Sequence, residues 1–243
     1  MLFLVALLIG VIVIFVGIRI KHKTHTKTSR PIDPSIIYII DEQLIEGRCD
    51  LVGSAFDHLI EICQKIDQAP KDQPIKLILS TGGGKIALCL ILLKKLKTHP
   101  TGYLAYIHHG CFSAGTILAL GATTIYMNND SYLGKIDPQI TTAIKGLNYP
   151  AIIYRDLPTN CITDQTIAPI RLSQQALNQI EGVLDVIFCS DSIVKDNVRQ
   201  QMIYSQLPHD QPFDRETCTK MGLPVQFWKE NTPCPISLHK TMF

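Results

Sequence analysis

Residues 75–96 read IKLILSTGGGKIALCLILLKKL. Ile75–Leu79 is a short apolar run that predicts a strand. Gly82, Gly83 and Gly84 end it, and Ile86–Leu96 then predicts a helix. Strand, glycine turn and helix in direct succession form the building unit of parallel α/β sheets. The unit recurs downstream: Tyr103–Ile107 predicts a strand, residues 108–112 a short loop, and a helix opens near Ser113. Thr124–Met127 predicts the next strand, and residues 128–139 a loop carrying Gly134 and Pro138. Upstream, Ser35–Ile40 (SIIYII) predicts a strand. Phe56, Leu59, Ile60, Cys63 and Ile66 recur at three- and four-residue steps and predict a helix over 55–69. A long helical stretch is expected over roughly 170–206, then a loop-rich tail with one more helical segment near 215–221. Strands alternating with helices imply a parallel sheet joined by right-handed crossovers.

The amino terminus is different in kind. Met1–Ile18, MLFLVALLIGVIVIFVGI, carries no charged side chain, and the overall apolar content of 46% owes part of its excess to this run. At about 1.5 Å per residue, the run with its flanks matches a hydrocarbon core of about 30 Å. No basic residue precedes it, which argues against a cleaved signal peptide, and it is apolar around its whole circumference, which argues against a core helix. Arg19, Lys21, Lys23, Lys27 and Arg30 follow at once. Positive residues stay on the cytoplasmic side, so the expected organisation is a single-pass anchor over 1–20, a basic linker over 21–34 and a cytoplasmic domain over 35–243. The basic cluster could also touch anionic membrane lipid.

The net charge of +2 is more than accounted for by those five basic residues, so nothing argues for a nucleic-acid partner. Cys49, Cys63, Cys89, Cys111, Cys161, Cys189, Cys218 and Cys234 form no C-x-x-C pair. That spacing disfavours a zinc site and suits a reduced compartment where Cys packs as a small hydrophobe. The glycine loop lacks the Gly-Lys-Ser/Thr ending of a nucleotide-binding P-loop, and no metal or organic cofactor is expected.

In parallel sheets, functional groups gather beyond the carboxyl ends of the strands. Two loops there carry suggestive chemistry. Thr81-Gly82-Gly83-Gly84 lets backbone N–H groups approach a ligand. Gly110-Cys111-Phe112-Ser113-Ala114-Gly115 puts a serine at a helix start between small residues. Acyl transfer needs both: a hydroxyl nucleophile and fixed N–H donors for the oxyanion, here Gly83 and Ala114. Read alone, the glycines also fit a plain turn or a phosphate cradle, and Ser113 fits an ordinary N-cap.

Four segments in order, LILSTGGGKIAL, HHGCFSAGTILALGA, IYMNNDSYLGKIDPQI and LPHDQPFDRETCTKMGLPV, resemble the serine dehydrogenase proteinase family over roughly Tyr38 to Val225. That family is a branch of the Clp protease/crotonase superfamily. The resemblance implies a Clp/crotonase-like fold of repeated ββα units, with a parallel sheet and flanking helices, preceded here by one transmembrane helix. It further implies a homo-oligomer, a polypeptide substrate, and hydrolysis through an acyl-enzyme on Ser113. Gly83 and Gly84 fall on the family's paired glycines, and His109 on a histidine four residues before the serine. Asp137 lies in the loop where Clp proteases carry their catalytic histidine. Asp210 falls where they carry the triad aspartate, with His209 beside it. Two departures stand out: Gly82 replaces the proline before the paired glycines, and Lys135 replaces the proline of Leu-Gly-Pro.

These positions suggest an exchange of roles. His209 is the first candidate for general base, oriented by Asp137 or Asp210; His109 is the second candidate and Lys135 the third. A non-catalytic oligomeric scaffold is the main alternative function. A crotonase-like acyl-CoA enzyme is the other, although neither loop carries the glutamate such chemistry usually needs.

Overall fold

The computed structural model describes residues 33–40, 55–141, 147–188 and 192–228. In chain order the first elements are β1 (Ile36–Ile40), α1 (Ala55–Gln68), β2 (Ile75–Thr81), α2 (Ile86–Lys97), β3 (Tyr103–Cys111) and α3 (Ala114–Leu120). There follow β4 (Thr124–Met127), β5 (Tyr132–Leu133), β6 (Gln139–Thr141), β7 (Asn148–Pro150) and α4 (Ala151–Arg155). The chain continues with α5 (Asp164–Ile187), α6 (Ile193–Val198), α7 (Arg215–Lys220) and β8 (Val225–Phe227).

The main sheet runs β1–β2–β3–β4–β8, with every pairing parallel. β2 lies inside it and is buried at Ile75 and from Leu77 to Thr81, the near-continuous burial of a strand covered on both faces. Leu93 and Leu96 of α2 and Ile117 of α3 join Leu77, Leu79, Ile107 and Ile125 in one core. The buried Tyr103 satisfies its hydroxyl by donating to the Leu118 carbonyl at 2.7 Å. The compact unit begins at Asp33, whose carboxylate accepts from the Ser35 N–H at 2.9 Å and from Lys76 Nζ at 2.9 Å, fastening the start of β1 to β2.

Three features depart from the sequence expectation. First, β3 does not stop at Ile107. It runs to Cys111 because Gly110 and Cys111 change partner and pair with Tyr132 and Leu133 of β5. Between Leu79↔Ile107 and Thr81↔Cys111 the register shifts, so β3 takes up two more residues than β2 over this span. Second, the long helical stretch starts earlier and is interrupted. Thr163 and Thr166 form a reciprocal cap that starts α5 at Asp164. α5 ends where Phe188 turns extended, and a fresh cap, the Ser192 side chain accepting the Lys195 N–H, opens α6. A π-turn over Arg199–Ile203 follows. Third, the expected loop over 128–139 contains β5, and a small antiparallel pair, β6 with β7, stands outside the main sheet.

Among the described residues no helix is long and apolar enough to cross a membrane. The expected anchor, Met1–Ile18, and the basic residues after it lie outside the described residues.

Candidate active site

The glycine loop and the serine turn meet at the carboxyl ends of β2 and β3. The Phe112 N–H donates to the Thr81 carbonyl at 2.9 Å, which draws the turn against the end of β2. Ser113 then adopts φ 51°, ψ −122°, and among the described residues it is the only non-glycine with positive φ. Such a conformation costs on the order of 1–3 kcal/mol and survives only where its surroundings impose it. Three bonds impose it here. The Ser113 N–H donates to the Lys135 carbonyl at 3.1 Å, the Gly115 N–H to the Phe112 carbonyl at 2.9 Å, and the Thr116 hydroxyl to the Cys111 carbonyl at 2.7 Å. The Ser113 side chain caps nothing, although the residue stands at the N-cap position of α3. A serine held in strain between strand and helix, its hydroxyl without a hydrogen-bond partner among the described residues, is the nucleophile-elbow arrangement.

Gly83 closes against this turn. A Cβ at Gly83 would lie 2.7 Å from Ser113 Cβ and 3.2 Å from the Ala114 nitrogen. The Ala114 N–H, at the first turn of α3, meets no acceptor among the described residues. The Gly83 N–H is already engaged: it donates to Thr81 Oγ1 at 3.1 Å. Of the two oxyanion donors expected from sequence, only Ala114 is therefore free in this conformation.

The turn after β5 supplies the charged groups. Asp137 is 2% exposed at its side chain, and its Oδ1 lies 2.8 Å from His209 Nδ1. Its Oδ2 accepts from Gln139 Nε2 at 2.8 Å. Gln139 Nε2 also lies 3.1 Å from His209 Nδ1. A carboxylate has no proton to give, so the assignment that satisfies it has both Nδ1 and the amide donating to Asp137. The 3.1 Å contact is then a close approach of two donors. This tautomer leaves His209 Nε2 as a lone-pair acceptor on a ring about one-third exposed (34%). No hydrogen bond joins Nε2 to Ser113 Oγ among the described residues. Catalytic bonds of this kind are often long in the absence of substrate.

Lys135 is 1% exposed at its side chain. Its Nζ donates to the Ser205 carbonyl at 2.7 Å and the Leu207 carbonyl at 2.9 Å, and stands 3.7 Å from Asp137 Oδ2. Burial draws its pKa below the usual lysine range, with the Asp137 carboxylate opposing that shift.

The remaining candidates lie apart from this group. Asp210 is exposed, and among the described residues no hydrogen bond or ion pair joins its carboxylate to the His209 ring, whereas Asp137 bonds that ring at Nδ1. His109 is exposed in the irregular stretch of β3, its ring edge-on to His108 at 4.2 Å, and is not bonded to Ser113. Gln139 carried no role in the sequence reading. Its signal was present in Asp-Pro-Gln: in extended chain, residues i and i+2 share a face, which puts the amide beside the Asp137 carboxylate.

The description of the ClpP-like SDH-type serine proteinases matches residues 55–236. The chain belongs to that family. As a member of it, the chain is 28% identical over 173 residues to one uncharacterized protein of Methanocaldococcus jannaschii, covering 68% of this chain and 58% of the relative. It is 26% identical over 190 residues to a second from the same organism, covering 75% and 60%. The chain thus spans about three-fifths of the length of the curated relatives it matches. Among solved structures, the fold is similar to a mutant membrane-bound stomatin-specific protease in complex with a substrate peptide. That likeness has a TM-score of 0.50 and 15% identity, over 81% of this chain and 75% of the other.

Proposed function

We propose that this member of the family is a serine peptidase acting through an acyl-enzyme on Ser113. The observation that carries the reading is the strained backbone of Ser113, bonded to the Lys135 carbonyl of the turn whose buried Asp137 holds the His209 imidazole. In the mechanism, His209 Nε2 accepts the Ser113 hydroxyl proton as Oγ attacks the scissile carbonyl, then delivers it to the departing amine. Asp137 holds the Nδ1–H and stabilises the imidazolium that forms. The oxyanion meets the Ala114 N–H and, once the Gly83 N–H is released from Thr81, a second donor; a missing donor typically costs about 3–4 kcal/mol. Water admitted on the same path then hydrolyses the ester.

The substrate class is polypeptide. The reading includes a homo-oligomer, and a tether through Met1–Ile18 that keeps the catalytic unit on the cytoplasmic face of a membrane. Support for the tether comes from the apolar run and the basic residues after it. The stomatin-specific protease of similar fold is itself membrane-bound.

A non-catalytic scaffold has one observation in its favour: the Gly83 N–H, an expected oxyanion donor, is occupied by Thr81 Oγ1. Labelling with a fluorophosphonate probe separates the two. Label on the native protein that vanishes in Ser113→Ala supports the peptidase, and no label on folded, assembled protein supports the scaffold.

A further inference from the structure

Lys135 occupies an unusual place in this site. Its main chain holds the nucleophile, since its carbonyl accepts the Ser113 N–H. Its side chain reaches the segment that carries His209, bonding the carbonyls of Ser205 and Leu207. That segment is laced by main-chain bonds to the Leu133–Asp137 turn at its two ends. The Ile136 N–H donates to the Met202 carbonyl at 3.0 Å, and Leu133 and Phe213 exchange bonds of 3.0 and 2.7 Å. Between those ends, the links across to the turn among the described residues are the side chains of Lys135 and Asp137.

A buried ammonium is costly unless it is paired and hydrogen-bonded. The two carbonyls take two of its protons, the Asp137 carboxylate balances its charge at 3.7 Å, and among the described residues no bond runs from Nζ to Ser113 Oγ. Two of its protons are committed to main-chain carbonyls of one segment, which suits a clamp.

We propose that Lys135 is a positioning residue: its buried ammonium ties the Ser205–Leu207 segment to the Asp137 turn and so holds the His209 imidazole on Asp137 Oδ1. The catalytic consequence rests on the peptidase reading above; the clamp itself does not.

The test uses the full chain and the variant Lys135→Met, which keeps much of the length and loses the donors. Amide hydrogen exchange over 205–211 is expected to rise by at least about tenfold while β2 and β3 keep their protection. In proton NMR with labelled histidine, the low-field Nδ1 proton of His209 is expected to broaden or vanish, though His209 and Asp137 are both intact. Fluorophosphonate labelling of Ser113 is expected to slow by roughly ten- to a hundredfold. Unchanged exchange and an unchanged Nδ1 proton in the folded variant would overturn the clamp, whatever happens to labelling. Loss of labelling with both structural signals intact would also overturn it, since Lys135 would then act on Ser113 directly. If native protein takes no label, the peptidase reading fails, while the exchange and NMR results still decide the clamp. Should Lys135→Met not fold, Lys135→Leu replaces it, and exchange over 205–211 equal to native would reject the proposal.

Discussion

Gly83 has no room for a side chain, because its Cβ would stand 2.7 Å from the Cβ of Ser113 and 2.9 Å from the Phe112 carbonyl oxygen. Its φ of +109° adds backbone strain for any L residue. Gly83→Ala is therefore expected to destabilise the fold by about 1–3 kcal/mol. It should also slow Ser113 labelling by roughly 10²-fold or more through the displaced oxyanion site. Gly84→Ala is the control. Its φ of +157° is also unfavourable, but nothing lies within 4 Å of the added carbon, so a smaller effect on both measures is expected.

The two candidate orienting carboxylates can be told apart by substitution. Asp137→Asn replaces the acceptor-only carboxylate with an amide that can donate to Nδ1 and so favours the wrong tautomer, and it is expected to lower kcat roughly 10⁴-fold, the scale of the corresponding change in a serine protease triad. Asp210→Asn, at an exposed side chain away from the His209 ring, should leave kcat and KM within about twofold, as surface changes usually do. Steady-state kinetics on a peptide ester would check both. A large loss in Asp210→Asn would reverse the assignment of the orienting carboxylate.

Gly115 is needed for packing and not for chemistry. A Cβ there would lie 2.4 Å from Thr81 Cγ2 and 3.0 Å from Cys111 Sγ. Gly115→Ala should cost about 1–3 kcal/mol in chemical denaturation, the usual scale of overpacking. Thr81→Ser removes the clashing methyl, so the double variant is expected to recover part of that loss. Simple additivity would show that the clash is not the cause.

Acid stability has an identifiable contributor at the start of β1. Hydrogen bonds from the Ser35 side chain and Lys76, with the Ser35 N–H, lower the Asp33 pKa from the ordinary 3.8 to about 2. A depressed carboxylate pKa adds stability above the unfolded value, and that stability is lost as pH falls through the folded one. The window is pH 4 to 2. Asp33 is partly exposed, so solvent screening limits the effect to under about 1 kcal/mol. Asp33→Asn should flatten the stability profile across this window, lowering stability at about pH 5 and above by up to that amount while leaving the slope there unchanged.

The long elements were legible in the sequence and the short ones were not. Ile75–Leu79, Thr124–Met127 and the helices over 55–68 and 86–97 are long enough for period or apolar run length to identify. β5 and β6 have two and three residues, too few for any period. The end of β3 was missed because His108, His109 and Gly110 break the alternation that marks a strand. In the site, Ser113 and the glycines follow from local order, since the turn geometry is local. The partner of His209 does not. Asp210 is adjacent in sequence, yet the bond goes to Asp137, 72 residues away, and only the fold brings those loops together. The clamp of Lys135 was invisible for the same reason, because its acceptors are main-chain carbonyls of whatever segment the fold delivers.

The irregularity in β3 has a consequence of parity. Tyr103, Ala105 and Ile107 point inward, and so does Cys111 after the two extra residues. Side chains in a strand alternate sides, so an even excess returns the chain to the serine turn on its original phase. A single residue gained or lost at positions 108–109 would turn Cys111 out of the core and carry Ser113 to the far side of the sheet from Gly83. Length changes at this point are therefore compatible with the site only in pairs, and the stretch serves as a spacer counted in twos.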